Sequence, residues 1–297
     1  MKLIDYMQEK KAEIEVVLDQ VLPKSGIRPS ILHESMRYST LGGGKRLRAI
    51  LAMAACEAVG GDPKQAHGLA AALEMIHAYS LVHDDLPCMD DDDLRRGKPT
   101  NHKVYGESVA VLAGDGLLTE AFAELARMPE KFNVSHEITV RIISEVAFSS
   151  GSQGMVGGQV EDILSMGEGS NDADQLEFIH THKTGALFRA SLRCGAILGQ
   201  ASSNELNKIT EYADSFGLAF QITDDILDET GEAASLGKAV GVDERLGKLT
   251  YPRIYGLEKS KEMASACVAR CHQALRGFSD SAWPLREMAE FIIHRDH

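Results

Sequence analysis

The sequence predicts an all-α protein. Its 297 residues are 44 % apolar but only 6 % aromatic, and alanine and leucine recur throughout. Alanine and leucine favour helices, whereas strands prefer β-branched and aromatic residues. Apolar residues repeat at helical spacing along most of the chain, and no convincing run alternates apolar and polar residues as strands do. We therefore expect one helical domain spanning residues 1–297.

The helices can be placed in order from their periodicity and their breakers. Pro23 and Gly26 end the first, Ser30 is the expected N-cap of the second, and Pro63 opens the helix that runs towards Asp84. Thr230 to Thr250, rich in glycine and charge, is predicted to be a functional loop. The helices are expected at about 5–21, 30–41, 63–84, 107–127, 134–150, 172–182, 184–200, 203–229, 258–276 and 284–295.

Composition excludes several classes of function. The formal net charge is −13, which makes nucleic acid a poor partner because phosphate backbones require a basic surface. No apolar run approaches the ~20 residues that a membrane helix needs, so we expect no stable membrane insertion. We find no targeting signal, and the five cysteines form no Cys-x-x-Cys pair. These features predict a cytoplasmic protein with free thiols.

Two acidic clusters, residues 84–93 and 224–228, point to a metal site. The first reads DDLPCMDDDD and the second DDILD, and each follows a strongly apolar helical segment. A solvated charge run is the usual explanation of acidic clusters. It fits badly here, because exposed acidic tracts seldom continue buried helices. Magnesium ions prefer carboxylate oxygens, so metal binding is the better interpretation.

Helix geometry refines this interpretation. Asp224 and Asp228 are four residues apart and share one helix face, where they repel unless a cation bridges them. Asp84 and Asp90 are six apart, about 120° on a straight helix, but Pro87 between them breaks the helix. Two residues absorbed at this kink would return Asp90 to the face of Asp84. We expect two facing helix ends that present carboxylates to metal ions and a polyphosphate.

Basic residues accompany both clusters. Glycines 42–44 lead into the segment 45–48 (KRLR), and the sequence RRGKPT follows the first cluster at 95–100. Further along come 182–185 (HKTG) and the lysines of the predicted loop. Arginine suits phosphate oxygens, and glycine lets the backbone approach them. Each segment alone is weak support, but together they favour a diphosphate site.

These motifs resemble the bacterial farnesyl diphosphate synthases of the short-chain trans-prenyltransferase, or polyprenyl synthetase, family. The resemblance covers most of the chain in the family's order, and the two aspartate motifs together are highly specific. The matching segments are 43–48 (GGKRLR), 83–102 (HDDLPCMDDDDLRRGKPTNH), 154–162 (GMVGGQVED), 180–189 (HTHKTGALFR), 217–228 (GLAFQITDDILD) and 236–252.

The resemblance implies a single-domain bundle of long helices around a deep apolar cavity, usually assembled as a homodimer. The implied reaction condenses isopentenyl diphosphate with dimethylallyl and geranyl diphosphate to give farnesyl diphosphate and pyrophosphate. It proceeds through ionisation of the allylic substrate, condensation and loss of a proton. The implied cofactor is Mg²⁺, three ions per active site, for which Mn²⁺ is expected to substitute.

The resemblance also implies a role for each site residue. The implied metal ligands are Asp84, Asp85, Asp90 and Asp224, and the implied catalytic residues are these four with Asp225, Asp228, Lys183 and Lys238. Isopentenyl diphosphate is assigned to Lys45, Arg48, His77 and Arg96. The allylic diphosphate is assigned to Arg95, Lys183, Thr184, Gln221, Lys238 and Lys248.

Product length is assigned to two residues upstream of Asp84. On an ideal helix Ser80 lies about 40° from Asp84 and Tyr79 about 140° away, so geometry alone favours Ser80 as cavity lining. The resemblance points to the Tyr79–Ser80 pair as the floor of a farnesyl-sized pocket. Packing of Tyr79 against a neighbouring helix is the structural alternative.

Other functions and structural roles remain open. A geranylgeranyl or geranyl diphosphate synthase of the same family is one alternative; a class I terpene cyclase and a non-catalytic helical subunit are alternatives of other classes. We expect structural roles for two sets of residues and either supporting or solvated charges in a third. These are the glycines 154, 157 and 158, the histidines 102, 180 and 182, and the aspartates 91–93.

Overall fold

The computed structural model describes residues 2–165, 172–230 and 248–294, and most of them are helical. The strands among these described residues are two, and each is two residues long. The prediction of an all-α fold is confirmed. The described residues group into two compact units, and the expectation of a single domain stays a prediction.

The first unit comprises Met1–Met53 and Asp62–Ile143. In it α4 (His67–Asp84) packs against α6 (Glu107–Ala126), and the apolar side chains of α4 form its core. Its elements are α1 (Leu3–Val21), α2 (Ser30–Leu41), the beginning of α3 (Leu47–Ala58), a 3₁₀ turn (Pro63–Ala66), α4 (His67–Asp84), β1 (Leu94–Arg95), β2 (Lys98–Pro99), α5 (Asn101–Tyr105), α6 (Glu107–Ala126), α7 (Met128–Phe132) and the beginning of α8 (His136–Ser150).

The second unit comprises Ala54–Gly61 and Ser144–His297. Its centre is the long helix α12 (Ser203–Thr230), which packs against α11 (Ala186–Leu198) and α14 (Leu257–Ala274). Besides the ends of α3 and α8, its elements are α9 (Met155–Ser165), α10 (Ala173–Ile179), a π-helix (His180–Gly185), α11 (Ala186–Leu198), α12 (Ser203–Thr230), α13 (Tyr251–Tyr255), α14 (Leu257–Ala274), a 3₁₀ turn (Asp280–Ala282) and α15 (Trp283–His294).

The long helices begin and end close to where the sequence places them, and the differences have physical causes. The helix from Pro63 starts as one 3₁₀ turn, in which the Asp62 side chain accepts a hydrogen bond from the Lys64 backbone N–H. Periodicity misses α3 because residues 49–56 are all buried, and a helix that is apolar all round has no polar face. It misses α9 because adjacent glycines weaken the helix signal.

Some sequence-based expectations concern residues that are only partly described. Lys238 and most of the predicted loop Thr230 to Thr250 lie outside the described residues. Within the described part of the chain, no helix has both the length and the apolar character required to cross a membrane.

Candidate active site

The first aspartate cluster lies at the C-terminal end of α4, where the chain folds back on itself. Asp84 is the last residue of α4, and the Asp90 backbone N–H donates to the Asp84 carbonyl oxygen at 2.9 Å. In a regular α-helix each backbone hydrogen bond joins residues four apart, whereas this one joins residues six apart and so encloses two additional residues. The turn after Pro87 therefore returns Asp90 to the end of α4, as the spacing predicts. Both carboxylates are half-buried.

A short hairpin follows the cluster and carries two of the predicted diphosphate ligands. Strands β1 and β2 pair through a turn at Arg96 and Gly97, whose φ angles are 55° and 74°. Two positive φ values are characteristic of the type I′ hairpin turn. On α2, the Tyr38 hydroxyl donates to the Pro99 carbonyl oxygen at 2.7 Å. The hairpin is therefore fixed to α2.

Asp85 and Arg95 form an ion pair between the first cluster and the hairpin. The Arg95 Nε and Nη2 atoms lie 2.7 and 2.5 Å from Asp85 Oδ1. Burial raises the pKa of Asp85 and outweighs the opposing effect of Arg95. Asp85 thus holds a predicted allylic-diphosphate ligand in place. Its own role as a metal ligand stays a prediction, and its carboxylate already has a cationic partner.

The backbone of the glycine segment 42–44 contacts the Arg96 side chain. The Arg96 guanidinium donates to the Gly43 carbonyl oxygen. Gly44 has a φ of +126°, and a Cβ atom at this position would lie 2.8–3.0 Å from the guanidinium atoms. The backbone conformation therefore favours glycine at Gly44, and the Arg96 guanidinium packs directly against it.

Arg46 and Glu74 form a buried pair that sequence reasoning missed. Arg46 Nη1 lies 3.5 Å from Glu74 Oε2, and its Nη2 donates to the Thr40 carbonyl oxygen at 2.7 Å. Glu74 also accepts a hydrogen bond of 3.3 Å from the Ala49 backbone N–H. The signal was present in the sequence, because a glutamate inside the apolar run of α4 requires a buried partner. The pair anchors the basic segment 45–48 to α4.

His77 faces a group of arginines. Burial, with Arg48, Arg96 and other nearby arginines, holds the pKa of His77 well below its ordinary value, so the ring is neutral. His77 and Arg96 line one pocket of the first unit together with the anchors Arg46 and Asp85. Lys45 is exposed and Arg48 half-buried at the beginning of α3. The predicted isopentenyl diphosphate ligands thus lie on elements that the anchors hold together.

The second aspartate cluster lies near the end of α12. Asp224 is half-buried, whereas Asp225 and Asp228 are buried. The Asp225 carboxylate accepts a hydrogen bond of 2.9 Å from the Tyr251 backbone N–H, and Gln221 Nε2 lies 3.5 Å from it. Asp225 therefore holds the first turn of α13, a structural role that sequence reasoning did not foresee.

Lys183 on the π-helix is paired with Asp162 of α9. Its Nζ atom lies 2.5 Å from Asp162 Oδ2. The two elements approach so closely that a Cβ atom at Gly158 would lie 2.1 Å from the Lys183 backbone nitrogen. Only glycine, which has no Cβ, permits this approach. The expected packing role of this glycine is thus confirmed. Asp162 was missed, although it stands four residues after Gly158, on the same face of α9.

Two more predicted ligands of the allylic diphosphate, Thr184 and Lys248, are among the described residues of the second unit. Thr184 is half-buried on the π-helix, and the Lys248 carbonyl oxygen accepts a hydrogen bond of 3.2 Å from Arg253 Nη1.

His180 is buried beside Tyr251, with ring centroids 5.4 Å apart, and burial lowers its pKa to about 3. His182 stacks on Phe178. The structural roles expected of His180 and His182 agree with these contacts.

The two predicted product-length residues differ in their surroundings. Tyr79 is buried, and its ring packs at 85° against the ring of His83. Burial raises the pKa of Tyr79 to about 12, and the Asp84 charge adds to this shift. Ser80 is half-buried, and its hydroxyl donates to the His77 carbonyl oxygen at 3.0 Å.

The carboxylates suit one mode of magnesium binding. Within the described ranges, no three His, Cys, Asp or Glu side chains lie close enough to form a protein-only metal cage. Magnesium is usually bound by one or two carboxylates and completed by phosphate oxygens and water. Asp84 and Asp90, brought together by the backbone turn, provide such a partial ligand set. These carboxylates therefore fit a Mg²⁺ ion that binds together with the substrate diphosphate, whose oxygens complete its ligand set.

The fold and these residues define an all-α enzyme with carboxylate motifs and a basic, arginine-rich pocket suited to diphosphates. The sequence model of the family described as polyprenyl synthetase matches residues 29–278. The chain belongs to the polyprenyl synthetase family, whose members are trans-prenyltransferases that use divalent metal ions.

Individual relatives support this assignment over the full chain. A chloroplastic geranylgeranyl pyrophosphate synthase of Capsicum annuum is 48 % identical over 98 % of this chain and 78 % of its own length. Large subunit 1 of a heterodimeric geranylgeranyl pyrophosphate synthase of Arabidopsis thaliana is 49 % identical over 99 % and 80 %. The apo structure of an FPP/GFPP synthase from Zymomonas mobilis has 37 % identity and a TM-score of 0.86, covering 98 % of both chains.

Proposed function

We propose that this protein elongates an allylic diphosphate by successive head-to-tail condensation with isopentenyl diphosphate. The observation that carries the proposal is the basic pocket of the first unit, where His77 and Arg96 lie beside the anchored pairs Arg46–Glu74 and Arg95–Asp85. Arg46 and Arg95 each contact a carboxylate, whereas Arg96 donates to a backbone carbonyl oxygen and adds its positive charge to the pocket. That charge suits a diphosphate held by side chains without metal.

The two substrates are assigned to different residues. Lys45, Arg48, His77 and Arg96 bind isopentenyl diphosphate, which keeps its diphosphate throughout the reaction. The allylic diphosphate, which must leave, is assigned to Arg95, Lys183, Thr184, Gln221, Lys238 and Lys248. Asp85 and Asp162 orient the charged ends of Arg95 and Lys183, so these cations are positioned before substrate arrives.

Carboxylates of the aspartate motifs hold the metal. Asp84, Asp85 and Asp90 in the first unit, and Asp224 in the second, would hold Mg²⁺, which usually combines a few carboxylates with phosphate oxygens and water. When bound, the metal neutralises the negative charge that develops on the departing pyrophosphate. No side chain is assigned as the base; the released pyrophosphate is the proposed proton acceptor.

The product length is proposed from two observations. The names of the curated relatives favour geranylgeranyl diphosphate, with twenty carbons. Farnesyl diphosphate, with fifteen, is the second candidate, because the bulky Tyr79 ring is buried five residues before Asp84, where it would shorten the pocket. Tyr79→Ala should move products towards longer chains, and Ser80→Phe towards shorter ones. Chromatography of the dephosphorylated products decides between the two lengths.

We propose a homodimer as the working assembly. Large apolar side chains are exposed within each unit, among them Leu112 (57 %) and Val140 (66 %) in the first and Leu164 (59 %) in the second. On α9 the exposed Val156, Val160 and Leu164 follow one another at four-residue spacing and share one face, and contiguous exposed apolar surface commonly marks an interface. Sedimentation equilibrium should give twice the chain mass; a monomer at micromolar concentration would contradict the proposal.

Incubation with labelled isopentenyl diphosphate and dimethylallyl, geranyl or farnesyl diphosphate tests the proposed reaction. The proposal predicts Mg²⁺-dependent incorporation of label into longer linear diphosphates. Cyclic hydrocarbons formed from the allylic substrate alone would indicate a terpene cyclase. No product with any primer would indicate a non-catalytic subunit. The matched control is Lys24→Met, which breaks an exposed ion pair with Asp19 and should leave incorporation unchanged.

A further inference from the structure

The Tyr79 ring is held on one side by His83, four residues later on the same face of α4. The ring centroids are 5.6 Å apart and the planes meet at 85°, a favourable edge-to-face arrangement. Tyr79 is only 6 % exposed. The position of its ring therefore depends on where the ring of His83 lies.

His83 is fixed in turn by α6. Its Nε2 atom lies 3.0 Å from the Val111 carbonyl oxygen. A carbonyl oxygen only accepts hydrogen bonds, so Nε2 carries the proton and donates it. This bond ties the end of α4 to the second turn of α6 and gives the imidazole one orientation.

Gly114 leaves the space in which the His83 ring lies. A Cβ atom at position 114 would lie 2.1 Å from His83 Nε2 and 2.5 Å from Cδ2, far inside van der Waals contact. Glycine weakens a helix interior relative to alanine, so its presence within the 20 residues of α6 requires a reason. The histidine ring packed against the helix backbone provides it.

We propose that His83 and Gly114 set the length of the prenyl product by fixing the Tyr79 ring. The proposal rests on the proposed function, in which Tyr79 bounds the pocket for the growing chain. His83 acts as a positioning residue, because its ring occupies the space towards α6 into which Tyr79 would otherwise turn. Gly114 is the residue of α6 that makes this arrangement possible.

A purely structural tie between α4 and α6 predicts a different result. Breaking such a tie would lower stability and total turnover, and would leave the ratio of short to long products unchanged. The product ratio, compared at equal substrate conversion, therefore separates the two roles. It stays measurable in slow variants at high enzyme concentration, which matters because His83 is adjacent to Asp84.

Three variants test the positioning role. His83→Ala frees space for Tyr79 to turn away, and the fraction of products longer than the main wild-type product should at least double. His83→Gln retains an N–H donor for the Val111 carbonyl oxygen but lacks the ring, so it should shift products in the same direction. Gly114→Ala pushes the imidazole towards Tyr79 and should shorten the products. In the His83→Ala background Gly114→Ala should have no further effect, because the clashing ring is absent.

Control variants make each outcome decisive. Gly116→Ala, on the same helix, places a Cβ atom 3.1 Å from the flexible Met36 sulfur and should leave the product ratio unchanged. If Tyr79→Ala lengthens the products but all three variants keep the wild-type ratio, the positioning role is overturned and the pocket boundary stands. If Tyr79→Ala also has no effect, Tyr79 bounds no pocket, and both the boundary and the positioning role are wrong.

Discussion

Lys183 Nζ lies 2.5 Å from Asp162 Oδ2 in the second unit. The carboxylate restricts where the charged end of this long, flexible side chain can lie, and so positions the cation for the predicted diphosphate. Asp162→Ala should raise the KM for the allylic diphosphate about tenfold, or ~1.4 kcal/mol, and leave the KM for isopentenyl diphosphate unchanged. In a Lys183→Ala background the effect should vanish. Tighter allylic binding in Asp162→Ala would show that Asp162 competes with substrate.

Close packing of α9 against the π-helix should be sensitive to a single methyl group. Gly158→Ala brings a Cβ atom within 2.1 Å of the Lys183 backbone nitrogen, and overpacking of this kind costs about 1–3 kcal/mol. We expect a lower unfolding midpoint in urea and weaker allylic binding. Gly26→Ala, whose Cβ meets no atom within 4 Å, is the control. Wild-type stability and binding in Gly158→Ala would contradict the close approach.

The Arg46–Glu74 pair should be costly to break on one side. Arg46→Met leaves the Glu74 carboxylate buried without its cation, a change worth about 3–5 kcal/mol. The double variant Arg46→Met/Glu74→Met should recover most of this stability, since both charges are gone. The exposed pair Lys24–Asp19 is the control, and Lys24→Met should cost less than about 1 kcal/mol. Equal losses in Arg46→Met and in the double variant would argue against a paired role.

His180 should make the folded protein sensitive to acid. Its pKa is about 3 in the folded state and about 6.5 when unfolded, so between these values the unfolded chain binds more protons. Stability should therefore fall as the pH drops from about 6.5 towards 3. Urea unfolding of wild type and His180→Leu at several pH values tests this. The variant should lose less stability per pH unit below 6.5; identical slopes would contradict a neutral, buried His180.

The two substrates should respond differently to loss of Arg48. Arg48→Ala should raise the KM for isopentenyl diphosphate at least tenfold, about 1.4 kcal/mol, and change the allylic KM by less than twofold. Initial rates with each substrate varied in turn provide the measurement. Arg37→Ala, which removes a half-buried cation of α2 that pairs with Asp19, is the control. An equal rise in both constants would contradict the division into two subsites.

Local sequence signals predicted much of this structure. Helix periodicity and breakers place the long helices, and the six-residue spacing of Asp84 and Asp90 across Pro87 predicts the turn that rejoins them. These features depend on residues close together in the chain. The hairpin at Arg96–Gly97 was missed because strands of two residues show no alternation, although the arginine–glycine pair is a plausible turn.

Partners distant in the chain were not predictable in the same way. The position of Glu74 within an apolar run predicts a cationic partner, but the sequence does not show whether that partner is Arg46 or Arg48. Asp162 pairs with Lys183, which is 21 residues away in the chain. The lysine lies on a π-helix, a rare element that α-helical periodicity does not predict. Such contacts depend on how helices pack, and packing is fixed by the whole set of buried side chains.

The most direct test of the central claim is the stoichiometry of pyrophosphate release. Wild-type protein with Mg²⁺, geranyl diphosphate and labelled isopentenyl diphosphate should release one pyrophosphate for each isopentenyl unit incorporated. It should release almost none when either substrate is omitted. Asp84→Asn, which keeps the side-chain shape but loses the charge that holds the metal, should lower this rate at least a hundredfold while the helical circular dichroism is unchanged. Rapid pyrophosphate release from geranyl diphosphate alone, or a wild-type rate in Asp84→Asn, would contradict the account.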